Sequence, residues 1–279
     1  MRHTPNSETE IIIDSKAIYK GYFRSLIWLR ELIFFLAWKD IIVRYRQAVL
    51  GVLWSVFTPV FTMIVFVFIF GKIAGLPSNG IPYPLLVFAA LLPWQFFSSS
   101  VFSVGNSIVS YSGMISKIFF PRLVLPLSAL VLALVDFVIA VVILAVLMII
   151  YGFYPSWQLI FAPLFILLMV LLAFSTGLIL SALNVKYRDV KFVVPFLLQL
   201  GLYVSPIGFS TSVIPKDWAF LYAINPMVGV INGFRWCLLG GKLGLDLGSV
   251  LISIIFTIVF LAIGMWYFRK TEKTFADII

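Results

Sequence analysis

The stretch Arg44 to Pro59, RYRQAVLGVLWSVFTP, runs from a basic segment into an apolar one with no turn between them. Lys39, Arg44 and Arg46 belong at a membrane surface, whereas Leu50–Phe70 carries no charge. As a helix, these 21 residues rise ~30 Å, the thickness of a bilayer core. The spacing predicts an integral membrane protein whose N-terminal segment lies on the surface before it dives.

Composition agrees. Of 279 residues, 62% are hydrophobic and 11% charged, with a mean hydropathy of +1.12. An aqueous domain of this length would be far more polar. Twenty basic residues against eleven acidic ones invite a nucleic-acid reading. The bases cluster between apolar spans, however, and the cytoplasmic bias of Lys and Arg in membrane proteins accounts for them. No nucleic-acid partner is expected. The single Cys237 forbids an intrachain disulfide, and the single His3, in a polar terminus, forbids a histidine metal cluster. Residues 1–25 lack the apolar core of a cleaved signal peptide, so the first span is expected to direct insertion.

The apolar candidates are Leu50–Phe70, Leu85–Val104, Leu123–Tyr151, Leu159–Leu183, Phe192–Phe209, Trp218–Leu239 and Leu247–Phe268. Six suit a span by length and lack of charge. Trp218–Leu239 does not, because it holds Asn225-Pro226, Asn232 and Arg235, each costly against lipid. Charge then sets the parity. With six crossings, sixteen of the twenty bases fall on one side, and only Lys72, Lys216, Arg235 and Lys242 on the other. That ratio places both termini in the cytoplasm. Trp218–Leu239 must then dip in and return, or lie flat near the outer surface. With no repeat and no long linker, the chain reads as one domain over residues 1–279. Its parts are a cytoplasmic tail and interfacial helix at 1–47, a membrane bundle at 48–268 and a cytoplasmic tail at 269–279.

The chemistry of a self-sufficient machine is missing. No Gly-x-x-x-x-Gly-Lys-Ser/Thr loop is present; Gly240-Gly241-Lys242 has neither the spacing nor the hydroxyl. There is no His-Glu-x-x-His motif, no paired carboxylates in a polar setting, and no Ser/His/Asp set. No catalytic residue, metal or cofactor is expected. Within the spans only Asp136 is ionisable, ~20 Å past Leu123 on a helix. It suits a structural role facing a neighbouring helix, or a contact to substrate. One carboxyl is too little for a proton relay, so a transporter of this kind must take its energy from another polypeptide.

Five segments carry a resemblance. RYRQAVLGVLWSVFTP is followed in order by LLPWQFFSSSV at Leu91–Val101, ISKIFFPRLVLPL at Ile115–Leu127, LSALNVKYRDVKFVVPFLLQ at Leu180–Gln199 and INPMVGVINGFRWCLLG at Ile224–Gly240. Together they closely resemble the membrane subunit of polysaccharide ABC exporters, the permeases of O-antigen, capsule and teichoic acid, from about residue 30 to 270. The resemblance implies an all-α polytopic fold with six transmembrane helices, an N-terminal interfacial amphipathic helix and short re-entrant helices at the outer face after the fifth span. It implies a homodimer in the bacterial plasma (inner) membrane, working with two copies of a separate ABC ATPase subunit. The cargo it implies is a lipid-linked polysaccharide exported from the cytoplasm, commonly on an undecaprenyl-pyrophosphate carrier.

Residue chemistry suits that cargo. Sugar rings present flat C–H faces that aromatic side chains cover without demanding one linkage. Trp54, Phe57, Phe61 and Phe68 form one stripe of the first span, and Phe196, Gln199 and Tyr203 share a face of the fifth. These residues either line a channel or meet lipid and neighbouring helices. Arg44, Arg46 and Arg122, with Arg188, are candidates for receiving a lipid pyrophosphate, since Arg grips phosphate bidentately; topology and anionic lipids explain them equally well. Ser116, Lys117, Tyr187, Arg188 and Asp189 sit in compact cytoplasmic loops suited to ATPase contact. The amphipathic stretch Trp28–Gln47 suits the membrane interface. Asn225, Pro226 and Arg235 are the candidate outer gate, where Arg235 either caps helix carbonyls or meets glycan hydroxyls. The rivals are an ABC exporter permease for another lipid or a drug, a polyprenyl-phosphate-using membrane glycosyltransferase, and a gated channel. Asp40, Asp136 and Asp189 are too scattered for the enzyme, and no charged filter suggests the channel.

Overall fold

The computed structural model describes residues 29–46, 51–118, 120–187 and 189–275. Among these the secondary structure is entirely helical. Helix α1 spans Arg30–Arg46, with Glu31 in its first turn and Arg44 and Arg46 in its last, so both ends complement the helix dipole. Its Leu36 and Ala37 are buried against the protein, while Phe34, Phe35 and Trp38 are exposed. These rings share the exposed surface of the helix with Arg30, Glu31 and Lys39, a mixture that suits the membrane interface. Trp28, Gln47 and Leu50, which bound two of the expected segments, lie outside the described residues.

The bundle follows as α2 (Gly51–Phe66, extended by a π turn over Val67–Ile73), α3 (Tyr83–Ser110), the short α4 (Ser112–Ile115), α5 (Val124–Ile150), α6 (Ala162–Lys186, preceded by a 3-10 turn over Trp157–Phe161), α7 (Val190–Val204), α8 (Lys216–Ala223), α9 (Pro226–Leu238) and α10 (Leu247–Thr271). Among the described residues five stretches are long and apolar enough to cross a membrane: Leu53–Ile73, Tyr83–Ser110, Val124–Ile150, Trp157–Lys186 and Leu247–Thr274. The chain is a multi-pass membrane protein.

The remaining expected span departs from its sequence limits. Phe192–Phe209 was expected to be helical throughout, but α7 stops at Val204 and has 15 residues, ~22 Å of helix. Pro206 explains the stop. A residue preceding proline is driven out of the helical region, and Ser205 is extended at φ −82°, ψ 154°. Trp218–Leu239 divides at Asn225, which is extended at ψ 111° and caps α9 by accepting a hydrogen bond from the Met227 N–H at 3.0 Å. Pro226, lacking an N–H, then occupies the first helical turn. Neither α8 nor α9 is long enough to span, and both stay at one end of the bundle.

Helix α3 is the axis of the molecule. From Leu85 to Leu92 it is buried on every side, and it packs against α2, α5, α6, α7 and α9. Helix α10 completes the bundle against α6 and α9. The Gly229-x-x-x-Gly233 pattern serves this assembly. A Cβ at Gly229 would stand 2.3 Å from the Ser249 carbonyl oxygen of α10, and one at Gly233 would stand 1.9 Å from the Phe165 ring of α6. Ser253 seals the first contact by donating to the Pro226 carbonyl at 2.6 Å.

Candidate functional site

The aromatic stripe of α2 is uncovered in the single chain. Trp54, Phe57, Phe61 and Phe68 are each more than half exposed. Trp54 stacks on Phe57 at 5.9 Å between centroids, and Phe57 on Phe61 at 5.6 Å, so three rings form a ladder. Phe196, Gln199 and Tyr203 are exposed on α7. The fold brings the two sets side by side: Tyr203 stacks on Phe66 of α2 at 6.1 Å, and a groove of about 190 Å³ between α2, α3 and α7 is lined by Thr62, Trp94, Gln95 and Gln199, among others. Gly201 makes this approach possible, since a Cβ there would lie 2.5 Å from the Trp94 ring.

A second cavity, of about 310 Å³, shares Gln95 and Ser98 with the first and ends at Arg44 and Asp136. Here the position of Asp136 becomes intelligible. Arg44 Nη1 lies 2.9 Å from Asp136 Oδ2, and the Tyr45 hydroxyl donates to Asp136 Oδ1. Helix α1 is thereby fastened to α5. Helix α5 has 27 residues, and Asp136 stands near its middle, ~20 Å along the axis from either end.

The ion pair is partly exposed, 45% at Arg44 and 19% at Asp136, so its energy is that of a screened pair. A double-mutant cycle of Arg44→Ala and Asp136→Ala, read by thermal unfolding in detergent, should return a coupling of about 1 kcal/mol. A coupling near zero would show that α1 is held by its apolar face alone.

The expected arginine cluster is not one cluster. Arg122, just before α5, lies ~20 Å along the axis from Asp136 and hence from Arg44. Its guanidinium donates to the Glu272 carbonyl at 2.6 Å and its backbone N–H to Glu272 Oε1 at 2.8 Å. Arg122 thus ties the loop before α5 to the end of α10. Arg46 is exposed, and Arg188 lies outside the described residues. The sequence reading missed both Tyr45 and Glu272, as each acts through a contact remote in the chain.

At this basic end, Ser116 and Lys117 follow α4 and are exposed, as are Tyr187 and Asp189 between α6 and α7. Close to these loops Asn184 ties α6 to α3 by donating to the Gly105 carbonyl at 3.2 Å and to Asn106 Oδ1 at 2.9 Å. Tyr111, between α3 and α4, donates to Asp40 of α1, and Lys39 lies 4.8 Å from its ring centre. Burial, reinforced by the Asp40 carboxylate, pushes the Tyr111 hydroxyl well above the usual tyrosine range and keeps it a donor.

At the opposite end Arg235 is fully buried and spends its fork on three carbonyls, Leu86 at 3.1 Å, Phe209 at 2.8 Å and Ile207 at 2.8 Å. None of these is the carbonyl of a helix C-terminus: Arg235 braces α3 and the segment after α7 instead of capping a helix. Asn225 adds a bond from Nδ2 to Ser205 Oγ at 3.0 Å. Asn225 and Arg235 therefore hold the segment after α7 against α3 and α9, while Pro226 starts α9 and accepts from Ser253 of α10. No group of three or more metal-binding side chains occurs among the described residues.

The family model described as ABC-2 type transporter matches residues 31–239. The chain is 31% identical over 258 residues to the O-antigen export system permease protein RfbA of Klebsiella pneumoniae, covering 91% of this chain and 97% of that one. It is 32% identical over 215 residues to the protein of the same name from Myxococcus xanthus, covering 76% and 82% respectively. It is 27% identical over 241 residues to the polysialic acid transport protein KpsM of Escherichia coli, covering 84% and 91%. A family match over most of the chain, on a multi-pass helical bundle of this order, means that the chain belongs to the ABC-2 type transporter family of membrane proteins.

Proposed function

We propose that the protein is the permease subunit of an ABC exporter that passes a lipid-linked, O-antigen-like polysaccharide out of the cytoplasm across the bacterial inner membrane. The observation that carries this reading is the uncovered aromatic ladder Trp54–Phe57–Phe61 beside a groove lined with amides and hydroxyls. An ion pore needs charges or carbonyl rings; a sugar polymer needs flat apolar faces with intermittent hydrogen-bonding partners. The full-length similarity to export permeases of O-antigen supports the same choice.

In this reading a second copy of the chain faces the ladder across the conduit, and both termini lie in the cytoplasm. A separate ATPase subunit, in two copies, hydrolyses ATP and pushes on the loops holding Ser116, Lys117, Tyr187, Arg188 and Asp189. Arg44 and Arg46 receive the pyrophosphate of the carrier lipid beside α1, with Arg122 bracing the basic end. Asn225, Pro226 and Arg235 hold the outer gate formed by α8 and α9.

The test is complementation in cells lacking the chain. The parent protein should restore surface polysaccharide and co-purify a P-loop ATPase. Phe57→Ala combined with Phe61→Ala should cut surface polysaccharide at least fivefold at equal protein level. Export unaffected by both substitutions would remove the ladder from the conduit.

A further inference from the structure

The aromatic ladder accounts for the apolar faces of a sugar chain but not for its hydroxyls. We propose that Gln95 of α3 and Gln199 of α7 form a binding subsite for a neutral, polyhydroxylated sugar unit. The inference rests on the exporter reading above and adds to it a site and a ligand class.

Gln95 is the only polar side chain between Leu85 and Phe97, and it lies where the all-round burial of α3 gives way. Both amides border the same groove, walled by α2 and α7 and floored by α3. Neither makes a side-chain hydrogen bond to any described residue, although Gln95 lends its backbone carbonyl to Ser98 at 3.2 Å. Each amide therefore keeps two N–H donors and a carbonyl acceptor unspent. Within a membrane span such a group is costly unless something polar meets it. Among the described residues nothing between these helices does.

The neighbouring groups narrow the ligand. The hydroxyls of Ser98 and Thr62 donate to backbone carbonyls of their own helices, at 3.2 Å and 2.8 Å, leaving their oxygens free to accept. Donors and acceptors thus alternate along the wall, which suits a polyol carrying both on each carbon. The only charges at the adjoining cavity, Arg44 and Asp136, neutralise each other, so no fixed charge selects an acidic or amino sugar. From Gln95 to Ser99 the polar side chains follow ~6 Å of α3, enough for about one sugar ring. A contact between two copies of the chain would also use such amides, since Gln side chains hydrogen-bond across membrane helices, and the experiment separates the two uses.

The experiment uses the permease–ATPase complex in nanodiscs and, as probe, carrier-free glycan released by mild acid from the producing cells. Gln95→Leu with Gln199→Leu should weaken binding of that probe at least tenfold and reduce surface polysaccharide in proportion. The conservative pair Gln95→Asn and Gln199→Asn should stay within about threefold of the parent, separating loss of the amide from misfolding. Unchanged affinity in the leucine pair overturns the subsite while leaving the exporter intact. So does a leucine pair whose only defect is dissociation into single copies, since the amides would then serve that contact. If cells lacking the chain still display the polysaccharide, the exporter reading falls and the subsite with it.

Discussion

Arg235→Leu should destabilise the protein by more than about 3 kcal/mol and leave little of it extractable as a monodisperse species. The reason lies in what remains, rather than in the lost charge. The carbonyls of Ile207 and Phe209 lose their donor at once, and each orphaned acceptor costs about 1–3 kcal/mol, while the Leu86 carbonyl keeps the N–H of its own helix. Arg235→Lys should recover only part of the loss, because an ammonium point cannot reproduce a planar fork aimed at three acceptors. Thermal unfolding followed by fluorescence-detected size exclusion would measure both. If the leucine variant melts within about 2 °C of the parent, Arg235 does not pin the segment after α7.

Gly229→Val should be comparably severe by the opposite mechanism. Its Cβ would meet a backbone oxygen at 2.3 Å, and a carbonyl in the first turn of α10 cannot turn aside as a side-chain tip can. Overfilling a close contact costs about 1–3 kcal/mol when side chains yield, and more here because two helices must part. Gly229→Ala should show the smaller part of the effect. Gly244→Ala should be neutral, since nothing stands within 4 Å of its Cβ position. Equal melting of the Gly229 and Gly244 variants would mean that α9 and α10 are not locked at this point.

Much of the architecture was legible because lipid leaves few choices. Uncharged runs separated by basic turns gave five of the six expected spans in order, and Asn225-Pro226 together with Arg235 flagged a segment too interrupted to cross. The premature end of α7 was written in Ser205-Pro206, yet it was overridden by the continuous apolarity of Phe192–Phe209. The site was harder to read. The stripe of Trp54, Phe57 and Phe61 follows from helical periodicity alone, but its neighbour Gln199 belongs with Gln95, and no local rule joins residues on α3 and α7. The position of Asp136 required its partner. Arg44 and Tyr45 precede it by about ninety residues, and basic residues read singly look like surface topology. Arg122 misled for the same reason: its partner Glu272 lies 150 residues away.

The brevity of α7 has a consequence for the surrounding lipid. Fifteen residues provide ~22 Å of apolar helix, about 8 Å less than a ~30 Å hydrocarbon core. Were α7 to cross, acyl chains beside it would shorten or tilt, at a fraction of a kcal/mol per Å. The thickness of the host bilayer would then become a mechanical input to this protein.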